Sequence, residues 1–355
     1  MKKVAVVTGT RAEYGILHPL IEKIHNSKTL ELQLYATAMH LSDFYGFTVK
    51  EIPYPHFRIT MSIHDRNNRH DMAVSIARGI ENFADAFRTY EPDIVVVLGD
   101  RIEQLSATLS ATTLGIPVAH IQGGDHSGGL DDIYRDLITR MASIHFPATL
   151  NSAKRITHGD IHVTGALGLD SILSIPLRTR KEIAWHYNIP NEQDWILILY
   201  HPDTNYPETA GQEMNIILSS LKHLKAQKII IYPNSDAGSG AIIDEIEKCR
   251  RNNDFSIFKT MPHQDFISLL SHCRFMIGNS SCGIIEAPSL GIPAINIGLR
   301  QNNREQDSNI INIIKPNEGE IFSAIQSIDS KRNSCSRIYG NGTASKRMLE
   351  VLEND

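Results

Sequence analysis

The eleven residues Gly-Asn-Ser-Ser-Cys-Gly-Ile-Ile-Glu-Ala-Pro at 278–288 carry the most specific chemistry in the chain. An apolar run, 274–277, leads into them, and an apolar helix is expected to follow. A turn with two glycines and two serines presents backbone N–H groups and hydroxyls at a helix N-terminus, which suits a diphosphate. Glu286 follows Ser281 by five residues and falls one helical turn inside, where a carboxylate can accept hydrogen bonds from sugar hydroxyls. The pattern names a ligand class, a nucleotide with a pyrophosphate, and no reaction. Other polar groups cluster elsewhere. The turn 8–14 carries Arg11 at its tip, able to fork onto a phosphate or to stand as a surface residue. It is not a P-loop, since GxxxxGK[ST] spacing is absent. In Leu98-Gly99-Asp100-Arg101, Asp100 suits either a helix cap or a partly desolvated proton-transfer group. The segment 120–135 has four glycines within 123–129, with Gln122, His120, His126, Asp125, Asp131, Asp132 and Arg135 around them. Its two histidines are six apart with no third ligand at usual spacing, so zinc is not indicated. His201, the loop 232–239 with Asn234, and His263 each suit a nucleotide pocket, although Pro, Gly and Asn are also ordinary loop formers.

These groups need elements to hold them. Short β-branched runs at 3–8, 31–38, 93–98, 117–121 and 144–147 alternate with amphipathic stretches at 11–25, 71–90, 101–114 and 132–143. The pattern pauses near 174–180 and restarts. Strands are expected at 195–200, 228–232, 255–259, 275–277 and 294–297, and helices at 208–224, 240–250, 264–271, 283–290 and 318–327. Apolar strands separated by helices imply a parallel sheet covered on both faces. Two doubly wound α/β domains in series follow. Ligands of such sheets bind beyond the carboxyl ends of strands, and two sheets facing each other place the ligand between them. Arg11, Asp100, Gln122, His201, Asn234 and the 279–281 turn all fall at those ends. Singly, each also satisfies the demand for polar caps at helix starts.

Composition narrows the class. A chain of 355 residues exceeds one small core, so two domains are expected. A net charge of −5 argues against a nucleic-acid or anionic-membrane surface. The four cysteines form no CxxC pair, which indicates reduced thiols and a cytoplasmic setting. The N-terminal apolar run is too short for a signal peptide, and no stretch approaches the ~18 apolar residues of a membrane span.

Together the motifs 9–14, 98–101, 120–135, 232–239, 278–288 and Gly298-Leu299-Arg300-Gln301 resemble the UDP-N-acetylglucosamine 2-epimerase family over nearly the whole chain, the hydrolysing branch most of all. The resemblance implies two Rossmann-like domains facing a central cleft, in the manner of glycosyltransferase-B enzymes. It implies a catalytic domain at 1–172, a UDP-binding domain at 173–339 and a C-terminal helix within 340–355 that crosses back. By motif match, Ser280, Ser281 and Glu286 resemble diphosphate and ribose contacts. His201, Asn234, His263 and Arg300 resemble further nucleotide contacts, Arg11 and Arg101 phosphate-side groups, and Asp100, Gln122, Asp131 and Arg135 the catalytic side. The implied reaction eliminates UDP from UDP-GlcNAc and hydrates the resulting glycal to N-acetylmannosamine. It needs no cofactor or metal, and a homodimer or homotetramer is implied. One departure stands out: several hydrolysing members carry glutamate where this chain has Gln122, and an amide cannot shuttle a proton. Asp100 and Asp131 are then expected to move the protons, with Asp125, His120 or His126 as alternatives, while Gln122 hydrogen-bonds substrate. Other readings are UDP-2,4-diacetamido-2,4,6-trideoxyglucose as substrate, a non-hydrolysing epimerase, a glycosyltransferase, or a sugar-nucleotide sensor.

Overall fold

The structure is a computed structural model that describes all residues except 62–67, 128–129, 175, 204, 332–334 and 355. Gly128 and Gly129, half of the expected glycine-rich loop, thus lie outside the described residues.

The first sheet contains β1 (Lys2–Thr8), β2 (Leu30–Thr37), β3 (His56–Ile59), β4 (Ile94–Leu98), β5 (Val118–Ile121), β6 (Ile144–Phe146) and β7 (Asp160–Ile161), all parallel, in the order β3-β2-β1-β4-β5-β6-β7. Its connections carry α1 (Arg11–His25), α2 (Arg69–Tyr90), α3 (Ile102–Thr113), α4 (Leu130–Met141) and α5 (Leu150–Ala153). Two helices, α6 (Gly168–Ser174) and α7 (Arg180–Tyr187), bridge to the second half. The second sheet contains β8 (Trp195–Leu199), β9 (Gln227–Ile231), β10 (Phe255–Phe258), β11 (Phe275–Gly278), β12 (Ala294–Ile297) and β13 (Ile310–Ile313), also parallel, ordered β10-β9-β8-β11-β12-β13. Around it lie α8 (Ala210–Leu221), α9 (Ser239–Lys248), α10 (His263–Ser271), α11 (Glu286–Ser289) and α12 (Glu318–Ser327), and α13 (Ala344–Asn354) closes the chain. Both sheets therefore follow the doubly wound order, with the reversal after β1 and β4 in one and after β8 and β11 in the other. This is the two-domain, glycosyltransferase-B-like α/β architecture expected from the alternation of runs.

Central strands read as continuous apolar runs because both faces are covered: β4 is Ile-Val-Val-Val-Leu and wholly buried. Strands β3, β7 and β13 were not among those expected. All three lie at sheet edges, where a strand pairs on one side only and needs a shorter, less apolar run. The expected helix at 283–290 is also different. Residues Ser281–Gly283 form one 3₁₀ turn, and α11 is only four residues long. Gly283, the β-branched pair Ile284-Ile285 and Pro288 all work against a continuous helix there.

Helix α13 packs on α1, its Ala344, Met348 and Leu352 joining Leu17, Leu20 and Ile24 in the first core. Asp170 of α6 accepts hydrogen bonds from its Ala344 and Ser345 N–H groups at 2.9 and 2.7 Å. The chain passes between the halves twice, side by side. At the crossing the Ala166 N–H donates to the Tyr339 carbonyl at 2.8 Å, and Gly165 and Gly340 both take positive φ, +93° and +110°.

Candidate active site

The carboxyl ends of the two sheets enclose a cavity of about 280 Å³. Ten of the residues singled out by sequence line it: Arg11, Asp100, Arg101, His201, Asn234, His263, Ser280, Ser281, Glu286 and Arg300. Gln122, Asp131 and Arg135 do not, although the last two are tied to it by ion pairs.

Arg11 opens α1 after a capping box in which Thr10 Oγ1 accepts from the Glu13 N–H and the Glu13 carboxylate accepts from the Thr10 N–H, each at 3.1 Å. The Arg11 guanidinium forks onto Glu51, with Nε donating to Oε2 at 2.7 Å. It is thus paired across the first half rather than being a free surface residue.

Asp100 follows β4 and does not cap α3; Arg101 occupies that position and offers no side-chain cap. Instead Asp100 pairs with Arg135, whose guanidinium also donates to Asp132 Oδ1 at 2.6 Å and to the Asp125 carbonyl at 3.0 Å. Arg135 is almost completely buried. Burial and the neighbouring guanidinium groups of Arg304 and Arg300 push its pKa down, against the pull of the two carboxylates in contact with it. Arg101 reaches the other way, donating to Glu103 Oε1 at 3.1 Å and to Ser235 Oγ across the cavity at 3.3 Å. Burial of Arg101 opposes its charge, but Glu103, Asp236 and Glu13 outweigh that and hold the guanidinium protonated.

Asp131 lies in the first turn of α4 and accepts from Arg300 Nη2 at 3.0 Å. Burial pushes its pKa up, against the pull of Arg300. Gln122 follows β5 in the left-handed region at φ +62°, a strained setting for a residue other than glycine. Its side chain makes no hydrogen bond to another described residue, while its N–H donates to Phe146 O at 2.9 Å. Of the alternative proton carriers, His120 is fully buried with its ring against the Gly99 carbonyl at 2.7 Å and Thr139 Oγ1 at 3.1 Å. Burial lowers its pKa to about 4. His126 lies 4.0 Å from Asp136, and Asp125 Oδ1 accepts from Ser152 Oγ at 2.5 Å. These contacts tie all three to the local frame.

From the second sheet, Asn279 clamps His201 by accepting from its backbone N–H at 2.7 Å and donating to its carbonyl at 2.8 Å. The ring Nδ1 of His201 faces the Asn234 N–H at 3.1 Å, an acceptor role that leaves the proton on Nε2. Burial, together with Arg300 and Arg101, keeps this imidazole neutral. His263 begins α10, is pushed down to about 4 by burial, and packs so closely on α1 that a Cβ on Gly15 would lie 2.3 Å from its own. Ser280 and Ser281 follow β11. Both line the cavity, and the N–H groups of Cys282, Gly283, Ile284 and Ile285 donate back to Ser280 and Ser281 within the turn. Glu286 is buried, its Oε2 has no hydrogen-bond partner among the described residues, and burial raises its pKa to about 7.

Sequence reading missed three groups. Glu13 and Glu103 form a buried carboxylate pair beneath the Gly9–Arg11 turn, where burial and Glu103 raise Glu13 to about 7. Arg304 is buried beside Asp125, Nη1 to Oδ2 at 3.2 Å. Nothing in local spacing distinguishes these from surface charges; only the packing of distant elements buries them.

A family model described as UDP-N-acetylglucosamine 2-epimerase matches residues 22–353. A Legionella pneumophila protein named UDP-N,N'-diacetylbacillosamine 2-epimerase (hydrolyzing) is 32% identical over 99% of this chain and 96% of its own length. A Neisseria meningitidis UDP-N-acetylglucosamine 2-epimerase is 34% identical over 100% and 96%. Among solved structures, the Methanocaldococcus jannaschii UDP-GlcNAc 2-epimerase in complex with UDP-GlcNAc and UDP superposes with a TM-score of 0.82 at 19% identity, over 99% of this chain and 100% of that one.

Proposed function

The chain belongs to the UDP-N-acetylglucosamine 2-epimerase family, and from that membership we propose that it is a hydrolysing epimerase that converts UDP-GlcNAc to N-acetylmannosamine and UDP. The observation that supports this best is the pairing of two unlike edges around one cavity. One edge offers Ser280, Ser281, Arg300 and the buried Glu286 carboxyl, whose Oε2 has no hydrogen-bond partner among the described residues. The other offers Asp100, held by Arg135, with Asp131 beyond Arg300. In this reading residues 1–172, with the helix in 340–355, form the catalytic domain, and 173–339 hold UDP. Ser280, Ser281, Arg11, Arg101 and Arg300 receive the diphosphate. Glu286 accepts from the ribose, and His201, Asn234 and His263 complete the nucleotide contacts. The whole acts as a cytoplasmic homodimer or homotetramer.

The reaction then divides into two steps. As the anomeric C–O bond breaks, oxocarbenium character at C1 acidifies the C2 hydrogen. One carboxylate takes that proton while UDP departs, leaving a C1–C2 double bond in 2-acetamidoglucal. Fixed guanidinium and hydroxyl donors stabilise the charge gathering on the diphosphate. Water then adds its hydroxyl to C1, and a proton returns to C2 from the opposite face. Two proton carriers with separated environments are required. Asp100 is held by the Arg135 guanidinium, while Asp131 is paired with Arg300 and pushed up by burial. Gln122 then orients the sugar. Replacing Asp131 with Asn should abolish turnover; a fully active variant sinks the assignment.

The Legionella relative's name, with Gln122 in place of the glutamate of several hydrolysing members, favours one second reading: the same reaction on UDP-2,4-diacetamido-2,4,6-trideoxyglucose. NMR of both nucleotide sugars in D₂O with the protein tests both. Free 2-epimerised sugar carrying deuterium at C2 is expected; a product still bound to UDP assigns the non-hydrolysing reaction, and no exchange overturns the function.

A further inference from the structure

Among the described residues three ion pairs span the cleft: Arg101 with Asp236, Asp125 with Arg304, and Asp131 with Arg300. The third differs from the second in what surrounds it. Arg300 lines the cavity beside Ser280 and Ser281, whereas Asp125 and Arg304 do not. Arg300 also has a buried Nε with no hydrogen-bond partner among the described residues, so its fork is only half used by Asp131. We propose that Asp131 and the nucleotide's diphosphate compete for Arg300, so that a diphosphate bound to Arg300 releases the carboxylate. The proposal rests on the functional reading above.

The physical case is one of unequal rivals. A carboxylate brings one charge to the guanidinium; a diphosphate brings two or more and matches the planar fork at two oxygens. Both Asp131 and Arg300 are largely buried, at 14% and 15% side-chain exposure, so exchange of partner occurs where screening is weak. Loss of Arg300 removes the group that favours the ionised form of Asp131, while desolvation, which opposes it, remains. The freed carboxylate is therefore a stronger base than the paired one, and it appears only with a diphosphate in place. The exchange needs no opening of the cleft. The Arg304–Asp125 pair is not among the residues lining the cavity, and the crossings at Gly165 and Gly340 can absorb small rotations.

A thermodynamic cycle on UDP binding tests this, by calorimetry with UDP itself as the probe and without reference to turnover. Asp131→Asn is expected to bind UDP roughly 10-fold tighter than wild type, because binding no longer displaces the carboxylate. Asp131→Ala runs in parallel, since asparagine keeps an acceptor for Arg300. Arg300→Gln is expected to bind more weakly, and adding Asp131→Asn to it should recover nothing. Unchanged or weaker binding by both Asp131 variants overturns the competition and makes Arg300 a group shared between carboxylate and ligand. A gain that persists in the Arg300→Gln background also overturns it, by assigning the gain to simple charge repulsion. Failure of the wild type to bind UDP is a separate outcome, which overturns the functional reading and this inference with it.

Discussion

Glu286 shows how burial alone sets the behaviour of one carboxyl group. Water is removed from it and no hydrogen-bond donor replaces the loss at Oε2, so its pKa rises from 4.5 to about 7. Across that window the folded chain holds a proton that the unfolded chain has given up. The stability this proton contributes is therefore full below about 4.5 and lost as pH rises through about 7. Glu13 moves in the same direction, to about 7, through burial and its neighbour Glu103. Replacing Glu286 with Gln should leave stability near pH 4.5 unchanged and raise it at pH 8 by about 1–3 kcal/mol. If Glu286 accepts from the ribose, as proposed, the same change should also weaken UDP binding. Thermal melts at the two pH values with a UDP titration check this; a lower midpoint at pH 8 contradicts it. The sequence marked Glu286 by its five-residue distance from Ser281. It could not mark Glu13 and Glu103 as a pair, because Glu103 comes from a helix ninety residues further on.

At the scale of elements, the strand ends decide where side chains meet. Gly278 closes β11 at φ +146°, and a Cβ there would lie 1.9 Å from the carbonyl oxygen of Leu199 on the paired strand β8. Residues that flank this point, His201 on one side and Ser280 on the other, line the cavity. Gly278→Ala must therefore separate β8 from β11, and a loss of more than about 2 kcal/mol is expected in urea unfolding. Near-wild-type stability would show that the strands can yield. Sequence reading took this glycine for a turn former, whereas its main duty is the close approach of two strands. The broken helix after Ser281 has a related lesson. Apolar residues in sequence suggested a helix, but Gly283, Ile284-Ile285 and Pro288 divide the segment, and burial between sheet and helices accounts for their apolar character instead.

The whole molecule depends on a chain end that returns to its beginning. Ala344, Met348 and Leu352 are all but fully buried against α1, and the start of α13 is capped by Asp170. Truncation before Ala344 exposes Leu17, Leu20 and Ile24 and should cost about 3–6 kcal/mol, at roughly 1.5–3 kcal/mol for each large apolar side chain lost. Calorimetric melting of the shortened chain should show a markedly lower transition, and an unchanged transition would refute a role for α13 in the first core. The helix itself is legible from its spacing of apolar residues; its docking is not, since nothing local names a partner more than three hundred residues away. The same division runs through the molecule. Sequence by itself determined two parallel α/β sheets, because strand and helix periods are local, and it marked polar groups at strand ends, because β-sheet topology puts loops there. Only tertiary structure decided which of those groups meet: Arg135 with Asp100, Arg300 with Asp131, and Arg11 with Glu51. Pairing energies and burial depend on distances between residues far apart in the chain, and no local pattern records those distances.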